Sequence, residues 1–136
     1  VQVSIDDFKK VIEKEHSLTS GGVNSLLLMK SPKMVTLDER KESLKREREF
    51  LVSRFDEFRI CCEWLSKLKK VKTPQYSSYF LKHVVEKLAG EYVCNGALIA
   101  AALHLKLPIK YNDGSPNVDV GISKKCPFLK KVGNVA

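Results

Sequence analysis

NGALIAAALHLKLPIKYNDGSPNVDVGI, residues Asn95 to Ile122, holds the change of period that decides the fold. Its first part, Ala97 to Leu105, is almost uncharged and apolar on every side, the pattern of a helix buried all round, with alanines that let neighbours approach closely. Pro108 bars continuation of that helix. Beyond it the period shortens to two. Leu107, Ile109 and Tyr111 alternate with Pro108 and Lys110, and Val118, Val120 and Ile122 alternate with Asp119 and Gly121, across the turn-rich Asn112 to Asn117. The stretch therefore predicts a buried helix followed directly by a β-hairpin.

Working upstream, Thr73-Pro74 ends a preceding element, because proline disfavours helical geometry in the residue before it. Ser77 or Ser78 then caps a helix running to Ala89, with Gly90 as its stop. Leu81, Val84, Val85 and Leu88 share one arc of this helix. Tyr79, His83 and Glu86 share the opposite, surface arc, flanked by Lys82 and Lys87. Helix, short turn, helix and hairpin form an arrangement compatible with a winged helix, the hairpin being the wing. A groove-reading helix must present polar side chains to base edges, however, and residues 97–105 offer only His104.

Further upstream, Thr36-Leu37-Asp38-Glu39 matches the capping box and predicts one long helix over 36–72. Leu37, Leu44, Leu51, Phe58 and Leu65 recur every seven residues; Phe55 and Cys62 fill the alternate seam position, which Lys41 and Arg48 occupy earlier. The second half of the helix is thus strongly amphipathic and the first half weakly so. Two well-filled heptads favour packing inside one subunit over a coiled-coil seam, with a homodimer contact as the alternative. Lys67, Lys69, Lys70 and Lys72 would complement the dipole at its end. Near the start, Ser4-Ile5-Asp6-Asp7 opens a helix expected to end near His16, Ser20-Gly21-Gly22 breaks the chain, and Val23 to Met29 reads as a short apolar helix closed by Ser31-Pro32.

The 136 residues suit one domain, without internal repeats, with N-terminal helices in 1–35, the long helix in 36–72, a helix-helix-hairpin unit in 73–123 and a basic tail in 124–136. The expected class is α+β, predominantly α. No apolar run approaches the ~20 residues of a spanning helix, no secretory signal is visible, and a first residue of Val1 suggests a processed or excised chain. Cys61, Cys62, Cys94 and Cys126 include no C-x-x-C pair and read as reduced, buried thiols of an intracellular protein.

The net charge of +8 is unevenly held. Residues 1–65 carry 12 Lys/Arg against 12 Asp/Glu, whereas residues 66–136 carry 12 lysines against four acids. This asymmetry suits phosphate or an acidic protein partner. No arginine follows Arg59, so backbone contact is expected in place of bidentate base reading. The expected contact residues are Lys82, His83, Lys87, Lys110, Lys124, Lys125, Lys130 and Lys131, together with the hairpin tip. Ser77, His83 and Glu86 lie on one helix and cannot converge as nucleophile, base and orienter. His16 and His104 stand apart from any metal-binding spacing, and the phosphate-loop, nucleophile-elbow and dinucleotide motifs are missing. The expectation is a non-catalytic basic module that binds DNA or RNA backbone, without cofactor, metal or membrane. The competing expectation is an interaction or oligomerisation adaptor that uses the 36–72 helix, with Phe55, Phe58 and Trp64 as anchors.

Overall fold

The computed structural model describes residues 2–24, 36–126 and 129; residues 25–35, which include most of the expected apolar helix, and Lys130 and Lys131 lie outside the described residues. In chain order the elements are α1 (Ile5–Lys14), α2 (Leu37–Val52), α3 (Phe55–Leu65), β1 (Tyr76–Ser77), α4 (Ser78–Ala89), α5 (Asn95–His104), β2 (Ile109–Tyr111) and β3 (Val118–Val120). The class is α+β, predominantly α.

Helix α5 is the centre of the core. Asn95 to Ala102 are all buried, and α1, α3 and α4 pack around them. Small side chains permit this crowding, as Gly96 shows: a Cβ there would stand 2.0 Å from the Thr19 carbonyl oxygen. An aromatic stack closes one side, with Phe8 lying 4.4 Å from Phe58 between ring centroids and His104 meeting Phe58 edge-on.

The helix starts follow their sequence signals. Ser4 and Asp7 form a reciprocal capping box on α1, Thr36 accepts the Glu39 amide at α2, and Ser77 accepts the Tyr79 amide at α4. Gly90 ends α4 in the left-handed region at φ 72°, where glycine avoids the Cβ penalty.

The single helix expected over 36–72 is instead two. Ser53 donates both its amide and its hydroxyl to the Phe50 carbonyl, and this local capping ends α2. The turn at Ser53-Arg54 lets α3 bury Phe58, Cys61, Cys62 and Leu65 while α2 buries only Leu51. Arg48, in its polar seam position, donates to the carbonyls of Ile12, Glu15, His16 and Leu18, satisfying the exposed end of α1.

The second departure concerns the lysines after α3, which do not belong to a helix end. From Lys69 the chain is extended, because its backbone groups pair with residues 121–123. Strand β1 continues this pairing, giving a three-stranded antiparallel sheet in the order β1-β3-β2, with Tyr76 opposite Val120 and Lys110 opposite Asp119. The sheet thus joins the segment before the helix pair to the hairpin after it, with the first strand beside the third.

Candidate functional site

The pairing ahead of β1 gathers lysines that are distant in sequence. Ser123 donates its amide to the Lys69 carbonyl at 2.8 Å, Val71 donates to Gly121 at 3.0 Å, and Lys70 bridges Ile122. Lys69 and Lys70 thereby lie beside the residues that lead into Lys124 and Lys125, Lys72 follows at the other end of the paired segment, and all five are exposed. Among the described residues none of the five makes an ion pair. Lys67 lies nearby in sequence with its ammonium 4.2 Å from the centre of the half-buried Trp64 ring.

Sequence reasoning placed Lys124 and Lys125 in the contact set but left Lys69, Lys70 and Lys72 on a helix. Gly121 carried the missing signal. A glycine inside a strand pattern often marks the close approach of another backbone, and here an added Cβ would lie 2.3 Å from the Val71 carbonyl oxygen.

Helix α4 contributes less than its sequence suggested. Lys82 is not a flanking surface cation but is buried, with 7% exposure, and donates to Glu86 Oε2 at 2.8 Å and to the Val93 carbonyl at 3.0 Å beneath the Tyr92 ring. The physical reason is the loop after Gly90, which folds over this face and offers its carbonyl and ring. Glu86 also accepts the Val93 amide and meets His83 Nδ1 at 2.8 Å. Burial pushes the Glu86 carboxyl up, but Lys82, the Val93 amide and His83 together bring it below the usual carboxylate range. His83 is exposed, with Tyr79 against its edge, yet the adjoining carboxylate makes it a poor receiver of phosphate. Both serine hydroxyls serve backbone: Ser77 takes the Tyr79 amide, and the fully buried Ser78 takes the Val118 amide. Lys87 is exposed at the end of α4, and Lys110 is exposed on β2 opposite Asp119, at the sheet edge away from β1.

The hairpin tip is also engaged from within. Val23 donates its amide to the Pro116 carbonyl, and Asn24 donates its side-chain amide to the carbonyls of Asn112 and Ser115. Asn95 reaches the same turn through Pro116 and Asn117. The tip is therefore tied to residues 19–24 and the start of α5, and it is not a free wing. Of the expected interaction anchors, Phe58 is fully enclosed, which corrects its assignment to a surface, while Phe55 and Trp64 are half-buried against the core. The cause is the break at Ser53, which turns this seam inward.

The four cysteines are free and buried. Burial drives the Cys62 thiol up to about 12 and the Cys94 thiol up to about 11. Among the described residues no group of three His, Cys, Asp or Glu side chains is placed to hold a metal ion, and no helix is long and apolar enough to cross a membrane. Comparison of the chain with protein-family models, curated proteins and solved structures finds no match.

Proposed function

We propose that this chain is a non-catalytic, intracellular module that binds the phosphate backbone of DNA or RNA through Lys69, Lys70, Lys72, Lys124 and Lys125. One observation carries the reading: antiparallel pairing of 69–71 with 121–123 brings Lys69 and Lys70 beside the residues that lead into Lys124 and Lys125, and among the described residues none of these lysines makes an ion pair. Unpaired exposed ammonium groups release counterions from a polyanion without first breaking internal contacts. Base reading is not part of the proposal. The helix that would enter a groove in a winged helix is the buried α5, and the wing tip is tied down. The buried, reduced thiols suit an intracellular compartment.

The test is fluorescence anisotropy with labelled single-stranded and duplex oligonucleotides over a salt series. If the five lysines each neutralise one duplex phosphate, the slope of log K against log salt is about −4 to −5, a loss of several hundred-fold from about 50 to 200 mM. Lys69→Gln with Lys124→Gln lowers the slope by roughly 2 regardless of base sequence, whereas Lys87→Gln leaves it nearly unchanged. Lack of binding at low salt, or an unchanged slope in the double variant, overturns the reading. An acidic polypeptide that binds where oligonucleotides do not assigns the ridge to a protein partner.

A second reading rests on α2, which buries only Leu51 and leaves Leu37 and Phe50 57% and 51% exposed. A self-association measured by sedimentation and lost in Phe50→Glu supports an adaptor role for that helix. It no longer rests on Phe58.

A further inference from the structure

A separate cleft opens beside β2, at the sheet edge opposite the lysine ridge. It has a volume of about 470 Å³ and lies between α1, the end of α5 and Tyr111. That volume is within the range of small-molecule sites. Val11 and Leu103 give it an apolar wall, and Lys10, Lys14 and Lys106 supply three ammonium groups. Its two acids, Asp7 and Glu15, accept hydrogen bonds from neutral groups and keep their charge, so the three ammonium groups exceed them by one. Asp7 accepts the Ser4 amide at 2.9 Å, while Glu15 accepts the Tyr111 hydroxyl at 2.7 Å and the Ser17 hydroxyl at 3.0 Å. Among the described residues the three lysines make no ion pair. Burial, and then Glu15 beside it, raise the Tyr111 phenol, so it remains the donor to Glu15.

An independent observation concerns Lys106. Its backbone is left-handed, at φ 59°, in the position after α5 where glycine is usual. The motif is fully formed, with the Lys106 amide on Leu103 and the Leu107 amide on Ala102. The left-handed backbone at Lys106 carries a Cβ penalty that glycine would avoid, so a lysine side chain stands at the mouth of the cleft at a local cost in stability.

We propose that this cleft binds a small phosphorylated molecule with an apolar portion, the phosphate held by Lys10, Lys14 and Lys106 and the apolar part resting on Val11 and Leu103. His104, at the end of α5, lines the same wall with its ring edge-on to Phe58. The site does not depend on the nucleic-acid reading, since it uses none of the ridge lysines.

The test is a titration by amide NMR with adenosine 5′-monophosphate, inorganic phosphate and adenosine as probes. The monophosphate is expected to move the His104, Lys106 and Tyr111 resonances with Kd on the order of 0.1–1 mM, inorganic phosphate to compete, and adenosine to bind at least about ten-fold more weakly. Lys10→Gln with Lys14→Gln, both on the exposed surface, is expected to weaken binding by about ten-fold or more at unchanged far-UV circular dichroism. Lys106→Gly separates the site from the fold, because it should raise the melting temperature while weakening the monophosphate. No perturbation at these residues by either phosphate probe at about 5 mM overturns the proposal, as does equal affinity in the double variant.

Discussion

Replacing Gly121 by alanine tests the link between the backbone pairing and the proposed ridge, because it alters no charge. The new Cβ would stand 2.3 Å from the Val71 carbonyl oxygen and 2.9 Å from Pro108 Cβ on its other side. A carbon-oxygen contact needs roughly 3.3 Å, so the segments must separate by about 1 Å, and movement away from Val71 is opposed by Pro108. Three backbone hydrogen bonds cross this point: Val71 to Gly121, Gly121 to Pro108 and Ser123 to Lys69. At about 0.5–1.5 kcal/mol net for each bond, weakening them costs about 2–4 kcal/mol. For a domain of this size that lowers the melting temperature by roughly 10 °C. Gly90→Ala is the control: with nothing within 4 Å of its Cβ it meets only the left-handed backbone penalty, about 1 kcal/mol. The assays are thermal and urea unfolding, followed by the oligonucleotide salt series on folded protein. Gly121→Ala is expected to bind more weakly with a shallower salt slope, although all lysines remain. A melting temperature within about 2 °C of wild type would refute the packing argument. Full-strength binding by a clearly destabilised variant would show that strand pairing does not assemble the phosphate surface.

Two further predictions concern buried charge and thiols. Glu86 has a depressed folded-state carboxyl, so its stabilisation is complete above the ordinary value of 4.5 and is lost as pH falls through the lower folded value. Glu86→Gln should therefore flatten the acid limb of a stability-pH curve and, near neutrality, cost about 2–3 kcal/mol by leaving the Lys82 ammonium buried without its carboxylate, as read by urea unfolding; an unchanged acid limb refutes it. Cys61, Cys62 and Cys94, all raised by burial, should react with a thiol reagent at neutral pH only as fast as the protein opens, so addition of denaturant should accelerate labelling; rapid labelling of all three in native buffer contradicts the burial.

The sequence carried the local features of this fold because their causes are local. The caps at Ser4, Thr36 and Ser77 are each made by an oxygen within three residues of the amide it accepts, and the left-handed stop at Gly90 needs only a missing Cβ. The apolar circumference of α5 and the alternation through 118–120 likewise express burial directly, whereas in β2 the alternating position Tyr111 is exposed. The long helix failed for a different reason. The heptad repeat reports which residues face a core, not whether the backbone is continuous between them, and Ser53 ended the helix with an acceptor three residues back. Arg48 shows the same limit: its seam position made the pattern look weak, whereas its partners lie 30 or more residues upstream. Lys82 carried a partial signal, since Glu86 stands four residues later within reach of an ion pair, although in the less favourable order with the lysine first. What no spacing could give was the Val93 carbonyl that completes its burial.

The arrangement also limits how this chain could engage a nucleic acid. A domain with this connectivity that reads sequence must hold one helix of its pair outward and leave a wing free. Here the N-terminal region closes both surfaces. Helix α1 lies on α5 and brings Phe8 into the aromatic stack, while Val23 and Asn24 fasten the hairpin turn. Exposing α5 to a groove would require removing α1 and uncovering Phe58, Leu98 and Ile99, all fully enclosed. Each such side chain contributes about 1.5–3 kcal/mol through burial, so the rearrangement would consume stability comparable to that of an entire small domain. Among the described residues the ridge proposed ahead of β1 needs no such disruption, and its lysines are point charges without the planar fork that reads a guanine edge. Affinity should consequently vary little among sequences of equal length and strandedness. A preference of 100-fold or more for one base sequence, about 2.7 kcal/mol, would require contacts this fold does not expose and would contradict the account of the core itself.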